Sequence, residues 1–133
     1  MKRRLIAYVV MLVLFPVIDF AWIGGLARGL YQSEIGALLA PDPRLVPAVA
    51  FYVLYAAGVL AFVVAPGLER GDWRRTLGMA ALFGLIAYSV YDLTNLSTLK
   101  GFTSKIAFAD MAWGVVLTSA VASLGRLAAL RFT

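Results

Sequence analysis

The sequence predicts an all-α integral membrane protein, a bundle of four transmembrane helices that forms a single domain over residues 1–133. Two observations predict this class. Hydrophobic residues make up 62% of the 133 positions, and the mean hydropathy is +0.88. Charged residues make up only 14%, whereas a soluble domain carries about 25%. Because a chain this short must expose much of its surface, so few charges exclude a soluble domain. The apolar content excludes intrinsic disorder.

Four continuous apolar segments are long enough to cross a bilayer, which takes about 20 residues. They cover about residues 5–27, 46–65, 76–99 and 106–124. Such continuous runs exclude a membrane β-barrel, whose strands alternate polar and apolar residues. The first segment is longer than the apolar core of a signal peptide, so we expect it to be a retained helix. In the first loop, residues 31–40 are expected to form a short helix in the membrane interface.

Lys and Arg side chains are distributed unevenly outside these segments. Eight flank the two termini and the loop between the second and third segments, and four lie in the other two loops. The eight are Lys2, Arg3, Arg4, Arg70, Arg74, Arg75, Arg126 and Arg131. Because basic residues are enriched on the cytoplasmic side, both termini are expected in the cytoplasm, with the chain as a multi-pass protein of a bacterial inner membrane. The net charge of +5 has the same explanation, so we expect the lipid bilayer and no nucleic acid as a partner.

The chain contains no Cys and no His. This excludes disulfides, thiolate nucleophiles and iron–sulfur ligation. It also removes the commonest general base and the commonest zinc ligand. We therefore expect no metal and no cofactor. Any catalysis or ion binding has to use carboxylates, Lys, Arg, Tyr, Ser, Thr or Asn.

Three aspartates lie inside the predicted spans, namely Asp19, Asp92 and Asp110. An ionisable side chain in a bilayer is costly, so it usually faces the bundle interior and marks function. At a rise of 1.5 Å per residue, the three carboxylates lie about 12, 10 and 7 Å below the same outer boundary. The sequence therefore predicts that three helices bring a carboxylate to one level, in the periplasmic half of the bundle.

Further polar side chains are expected at this level. Tyr88, Asp92 and Asn95 are spaced i, i+4 and i+7, so they share one helix face. The second span contributes no charge and is expected to form an apolar wall.

A short repeat connects the first and fourth spans. Residues 19–22 (DFAW) and 110–113 (DMAW) share the pattern D-x-A-W on helices that run in opposite directions. If these helices pack together, the indole of Trp113 can donate to Asp19 and that of Trp22 can donate to Asp110. The repeat therefore predicts two hydrogen bonds that satisfy buried carboxylates.

Small residues four positions apart form stripes along the predicted helices, and such stripes favour close helix packing. They are Gly25 and Gly29; Ala57, Ala61 and Ala65; Ala80 and Gly84; and Gly114, Thr118 and Ala122. We expect these grooves to pack helices within the bundle or to support a homodimer.

The segment Tyr91–Leu99 (YDLTNLSTL) resembles the signature of a family of small bacterial membrane proteins known as domain of unknown function 2177. The stretches 19–22 and 110–113 are also similar to that family's pattern, so the resemblance covers nearly the whole chain. It implies a four-helix inner-membrane protein and no particular activity. The segments that resemble the family's pattern are the same ones that contain the three aspartates of similar predicted depth.

Three functions are compatible with these features. The first, which we favour over an enzyme, is binding or translocation of a small molecule, a lipid group or a cation in a carboxylate-lined pocket. Asp92 and Asn95 would then contact the ligand, and a homodimer is expected because four spans are few for a transporter. The second is an intramembrane lipid-modifying enzyme with an Asp as general acid/base. The third is an accessory subunit whose Asp/Trp/Asn cluster is structural, with a protein donor on every Asp oxygen.

Overall fold

The computed structural model describes all 133 residues and contains helices and no strands. Four of the helices are long and apolar enough to span a membrane, which confirms the predicted all-α, four-helix membrane class. In chain order the helices are α1 (Lys2–Leu26), α2 (Arg28–Ile35), α3 (Leu45–Arg70), α4 (Trp73–Thr98) and α5 (Ser104–Arg131).

The long helices contain 25, 26, 26 and 28 residues, more than the sequence ranges suggest. At 1.5 Å per residue this corresponds to about 38–42 Å, which exceeds the roughly 30 Å hydrocarbon thickness of a bilayer. The extra turns carry charged residues and end at local signals. Gly71 ends α3 in a left-handed conformation (φ 65°), which a residue without a Cβ adopts readily. Asp72 then caps α4 by accepting a hydrogen bond from the backbone N–H of Arg74 at 2.9 Å.

Two of the long helices contain a π-helical turn. One covers Trp22–Leu26 at the end of α1, and the other covers Leu60–Val64 in the middle of α3. Turns of this kind are rare and often accompany functional sites. The π turn of α1 begins at one of the predicted site residues, three positions after Asp19.

Helix α5 lies at the centre of the bundle. It packs along α4 and α1, and it also contacts α2 and the second half of α3. Small residues allow the closest of these approaches. A Cβ atom added at Gly84 of α4 would lie 2.4 Å from the carbonyl oxygen of Gly114 on α5.

The four stripes of small residues behave differently. Those on α4 and α5 pack against each other within the bundle, as predicted. By contrast, Gly25 and Gly29 have no neighbour within 4 Å of an added Cβ, and Ala57 and Ala61 are exposed. Gly25, Gly29, Ala57 and Ala61 therefore do not pack helices within one chain, whereas Ala65, the last residue of the second stripe, is buried.

The two ends of the bundle differ in character. The terminal end carries both chain termini and residues 71–72, and there Arg3 donates to the hydroxyl of Thr133 at 3.1 Å while Arg4 forms an ion pair with Glu69. The distal end carries residues 27–44 and 99–103. The backbones of α3 and α4 approach each other mainly over the second half of α3, so the first half leaves space between them towards the distal end.

The interior of the bundle is apolar, and so is its outward surface. Phe15 and Met11 of α1 and Leu117 of α5 are among the fully buried side chains of the main core. On the opposite face of α1, exposed apolar residues recur every fourth position, at Leu5, Val9, Val13 and Val17. An outward apolar face of this kind suits contact with lipid rather than water.

Candidate functional site

A cavity of about 390 Å³ lies inside the distal end of the bundle. This volume falls in the range of small-molecule pockets, which are mostly apolar with a few placed polar groups. Ten of its 13 lining residues are hydrophobic, and the other three are aspartates. The lining residues are Asp19, Ile23, Tyr31, Ile35, Leu39, Phe51, Ala87, Tyr88, Tyr91, Asp92, Phe102, Ile106 and Asp110. Asp19, Asp92 and Asp110, for which the sequence predicts a similar depth in the membrane, therefore line the same cavity.

Asp19 is held by donors from two other helices. Its Oδ1 accepts a hydrogen bond from the indole Nε1 of Trp113 at 2.8 Å, which confirms the contact that the D-x-A-W repeat predicts. Its Oδ2 accepts a hydrogen bond from the hydroxyl of Tyr52 at 2.6 Å. Both carboxylate oxygens are therefore paired within the protein, as a buried carboxylate requires.

Asp110 is held in a different way from the prediction. The hydroxyl of Tyr31, on α2, donates to Asp110 Oδ1 at 2.5 Å, and the indole of Trp22 donates to the Tyr31 oxygen at 3.2 Å. The predicted direct bond from Trp22 to Asp110 is therefore wrong, because α2 inserts a phenol between the two groups. Trp22 stacks on Trp113 instead, with ring centroids 4.5 Å apart and planes 7° from parallel.

Tyr31 lies outside the four spans, and its environment keeps it a hydrogen-bond donor. Burial raises the pKa of its phenol far above the ordinary value of 10.0, and the neighbouring Asp110 carboxylate raises it further. Both effects disfavour the phenolate. At neutral pH the Tyr31 phenol therefore stays protonated and donates to Asp110 while it accepts from Trp22.

Asp92 is the exception among the three aspartates. Its side chain is completely buried, with 0% of its surface exposed, and neither Oδ1 nor Oδ2 has a hydrogen-bond partner in the protein. Buried polar groups are almost always hydrogen-bonded, so an unpaired one requires an explanation. No donor from the rest of the fold reaches Asp92, and the group that it faces is the carboxyl of Asp110, which is within hydrogen-bonding reach when one of the two acids carries a proton.

The two other predicted side chains of α4 have different positions. Tyr88 lines the cavity and lies directly over Gly114, where an added Cβ atom would come within 2.3 Å of the Tyr88 ring. Asn95 is only half buried and does not line the cavity. It lies one turn nearer the distal end, where the wall is instead formed by Phe102, whose ring stands edge-on to Tyr91 at 6.1 Å.

Helix α2 closes the distal side of the cavity. Tyr31 and Ile35, one turn apart on this helix, are both buried, and Leu39 of the following segment also lines the space. The hydroxyl of Thr103, which caps α5, donates to Glu34 of α2 at 2.6 Å. The helix begins at Arg28, three residues before the predicted start, and one of its faces packs inward.

Two tyrosines that donate to the carboxylates are absent from the predicted site. Tyr31 lies in the loop for which an interfacial helix is predicted, and its i, i+4 spacing to Ile35 indicates a shared apolar face. Tyr52 lies in the second span, which contributes no charge but does contribute a phenol to Asp19. A tyrosine in an otherwise apolar span has a hydroxyl that needs a partner, and this signal identifies the residue.

The cavity is strongly acidic for its size. Three of its lining side chains are carboxylic acids, and no Lys or Arg lines it. The structure brings no group of three acidic side chains close enough to hold one metal ion between them. The arrangement offers one free carboxylate, two anchored carboxylates and an apolar, aromatic wall.

Comparison with known proteins gives one match. The sequence model of a family described as "Predicted membrane protein (DUF2177)" matches residues 4–127. This agrees with the resemblance of Tyr91–Leu99 and of the two D-x-A-W stretches. No curated protein and no solved structure matches the chain.

Proposed function

We propose that this chain, which belongs to the DUF2177 family of predicted membrane proteins, is a membrane-embedded binding protein for a small molecule or a lipid group. The ligand occupies the cavity of about 390 Å³ between α1, α3, α4 and α5. Helix α2 covers the site from the distal side.

One observation carries this proposal. Asp92 is fully buried at the cavity wall, and both of its oxygens lack a protein donor. An unsatisfied buried polar group costs about 1–3 kcal/mol, and a charged one costs more. A bound ligand that donates to Asp92, or that brings a positive charge between Asp92 and the facing Asp110 carboxyl, removes this cost.

The orientation and assembly are part of the proposal. The excess of Lys and Arg at the terminal end favours a cytoplasmic location for both termini, so the cavity lies in the periplasmic half of a bacterial inner membrane. The exposed small residues Ala57 and Ala61 on α3 offer a surface for a second copy of the chain. Translocation, which a four-helix monomer is too small to perform easily, would use such a homodimer.

A cavity-filling substitution tests the site without changing its charge. Ala87 lines the cavity, and Ala87→Phe is expected to fill part of it. Ala120 is exposed on the outer face of α5 and lies outside both the cavity and the proposed dimer surface, so Ala120→Phe is a control with the same change in volume. Each protein is placed in nanodiscs and dialysed to equilibrium with three probes of similar shape: benzyltrimethylammonium, neopentylbenzene and phenylmethanesulfonate.

The proposal expects saturable binding of at least one probe to the wild-type protein, after subtraction of binding to protein-free nanodiscs. Ala87→Phe should abolish this binding, and Ala120→Phe should leave it unchanged. If no probe binds saturably, or if the Ala87 variant binds as well as the wild type, the cavity is not a ligand site.

A further inference from the structure

We infer that the ligand is a lipophilic organic monocation, an amine or quaternary ammonium with an apolar body. This inference rests on the proposed function and specifies its ligand class. Three features of the cavity carry it: the sign of its charge, the state of one carboxylate and the nature of its walls.

The charge of the cavity has a single sign. Asp19, Asp92 and Asp110 all line it, and no Lys or Arg does. Opposite charges attract strongly where water is scarce, because the effective dielectric constant is low. The cavity therefore favours a cationic group over a neutral one, and it repels an anion.

Asp92 and Asp110 are the two carboxyls with oxygens left to meet that cation directly. Asp19 accepts hydrogen bonds from Trp113 and Tyr52, and Asp110 accepts one from Tyr31. Asp92 accepts none, although it is 0% exposed. The Asp92 carboxyl faces that of Asp110, and two adjacent acids without a basic residue hold either a shared proton or another cation between them. The ligand's cationic group takes the place of that proton.

The walls determine what surrounds the charge. Five lining residues are aromatic: Tyr31, Phe51, Tyr88, Tyr91 and Phe102. Aromatic faces attract cations through the ring quadrupole, and quaternary ammonium groups are recognised by aromatic cages for this reason. The remaining lining, which includes Ile23, Ile35 and Ile106, is aliphatic and suits an apolar body on the same molecule.

Other cationic ligands fit the cavity less well. A small hard cation needs six or more oxygen ligands, and no three acidic side chains here converge on one point. A zwitterionic lipid headgroup would bring a phosphate into a site that offers no Lys or Arg. The geometry therefore favours a molecule with a positive charge and no attached anion.

Two probes of the same shape measure how much a positive charge on the ligand contributes to its affinity. Benzyltrimethylammonium and neopentylbenzene have the same shape and differ in one unit of charge. In equilibrium dialysis with wild-type protein in nanodiscs, we expect the cation to bind at least about tenfold more tightly than the neutral isostere, since cation–π contacts and an ion pair both contribute. Phenylmethanesulfonate should not bind.

Two variants that each remove one negative charge then test whether Asp92 is responsible for the preference for the cation. Asp92→Asn should reduce the preference for the cation to about threefold or less, because its principal partner is lost. Asp42→Asn removes the same charge from an exposed loop residue and should leave the preference unchanged. Glycerophosphocholine serves as a competitor that represents the lipid headgroup, and it should displace the cation poorly.

The outcomes separate the inference from the function. If neopentylbenzene binds as tightly as the cation and Ala87→Phe blocks both probes, the cavity binds ligands but the assignment of a cation is wrong. If glycerophosphocholine competes as well as benzyltrimethylammonium, the ligand is a lipid headgroup and not a free monocation. If no probe binds saturably, the proposed function itself fails. Should Asp92→Asn not fold, the comparison of isosteres on the wild-type protein still decides the question.

Discussion

The buried aspartates Asp19 and Asp92 should respond oppositely to the same substitution. Each changes to Asn, which has nearly the same volume and no charge. Asp19 uses both of its oxygens as hydrogen-bond acceptors, whereas Asp92 uses neither. We expect Asp19→Asn to destabilise the fold and Asp92→Asn to leave its stability unchanged or to raise it.

The magnitude follows from the hydrogen bonds. In Asp19→Asn, an amide N–H replaces one oxygen and faces either the indole of Trp113 or the hydroxyl of Tyr52. One buried donor is then unpaired, which costs about 1–3 kcal/mol, although hydrogen bonds in membrane bundles are worth only about 0.6–1.7 kcal/mol. We expect a loss of about 1–2 kcal/mol. Asp92 accepts from no donor in the fold, and the amide that Asp92→Asn introduces can itself donate to the facing Asp110 carboxylate. A neutral amide also costs less to bury than a carboxylate.

The assay is reversible unfolding of the purified protein in mixed micelles, with helix content followed by circular dichroism as SDS is added. Asp42→Asn, in the exposed distal loop, is the control for the loss of one negative charge. The free energy of unfolding of Asp92→Asn should exceed that of Asp19→Asn by about 1–2 kcal/mol. A loss of similar size in both variants would refute the reasoning, because Asp92 would then have a structural partner.

Three further predictions concern the packing around the cavity. Tyr31→Phe leaves Asp110 without its donor and should lower stability by about 1–3 kcal/mol, as measured by the same unfolding assay. Gly114→Ala forces a Cβ against the ring of Tyr88 and should cost about 1–3 kcal/mol and weaken probe binding in dialysis. Thr103→Val removes the N-cap of α5 and the hydrogen bond from Thr103 to Glu34 of α2. Because α2 is then held less firmly to the bundle, its backbone amides should exchange hydrogen faster than in the wild type.

The raised pKa of Tyr31 gives a prediction about alkaline pH. Its folded-state pKa lies above the unfolded value of about 10, so the stability that this phenol contributes is complete below pH 10 and is lost as pH rises beyond that. The ultraviolet difference spectrum between wild type and Tyr31→Phe should show a phenol and no phenolate at pH 11. A phenolate band near 295 nm in that difference would show that Tyr31 is not buried against Asp110.

The four long helices could be predicted because their signal is local. Each span is a continuous apolar run, and hydropathy alone identifies such a run without knowledge of its neighbours. The ends were less predictable. Helix α3 continues past Pro66 to Arg70 and ends at Gly71, whereas a hydropathy window fades where the charges begin. The pattern of a span indicates where a helix is apolar, and capping residues decide where it ends.

The cavity was predictable only in part, because depth is a one-dimensional quantity. Counting residues from a span boundary predicts one level for Asp19, Asp92 and Asp110, and all three line the same cavity. The same count could not indicate that α2 inserts Tyr31 between Trp22 and Asp110, since that contact depends on how a loop folds over the bundle end. Nor could periodicity distinguish Asp92 from Asn95, which share a face of α4 but lie one turn apart.

The contrast among the three aspartates argues for selection on ligand binding rather than on stability. A sequence that needed only a stable bundle would replace Asp92 with an apolar residue, as a buried unpaired carboxylate is the most costly group in the site. Asp19 and Asp110 show that this fold can supply donors where carboxylates must be held, from Trp113, Tyr52 and Tyr31. Asp92 receives no donor of this kind and faces the carboxyl of Asp110 at the wall of an aromatic cavity. Active and binding sites trade stability for function in this way, and the proposed cation would lower the cost of burying these two acids side by side.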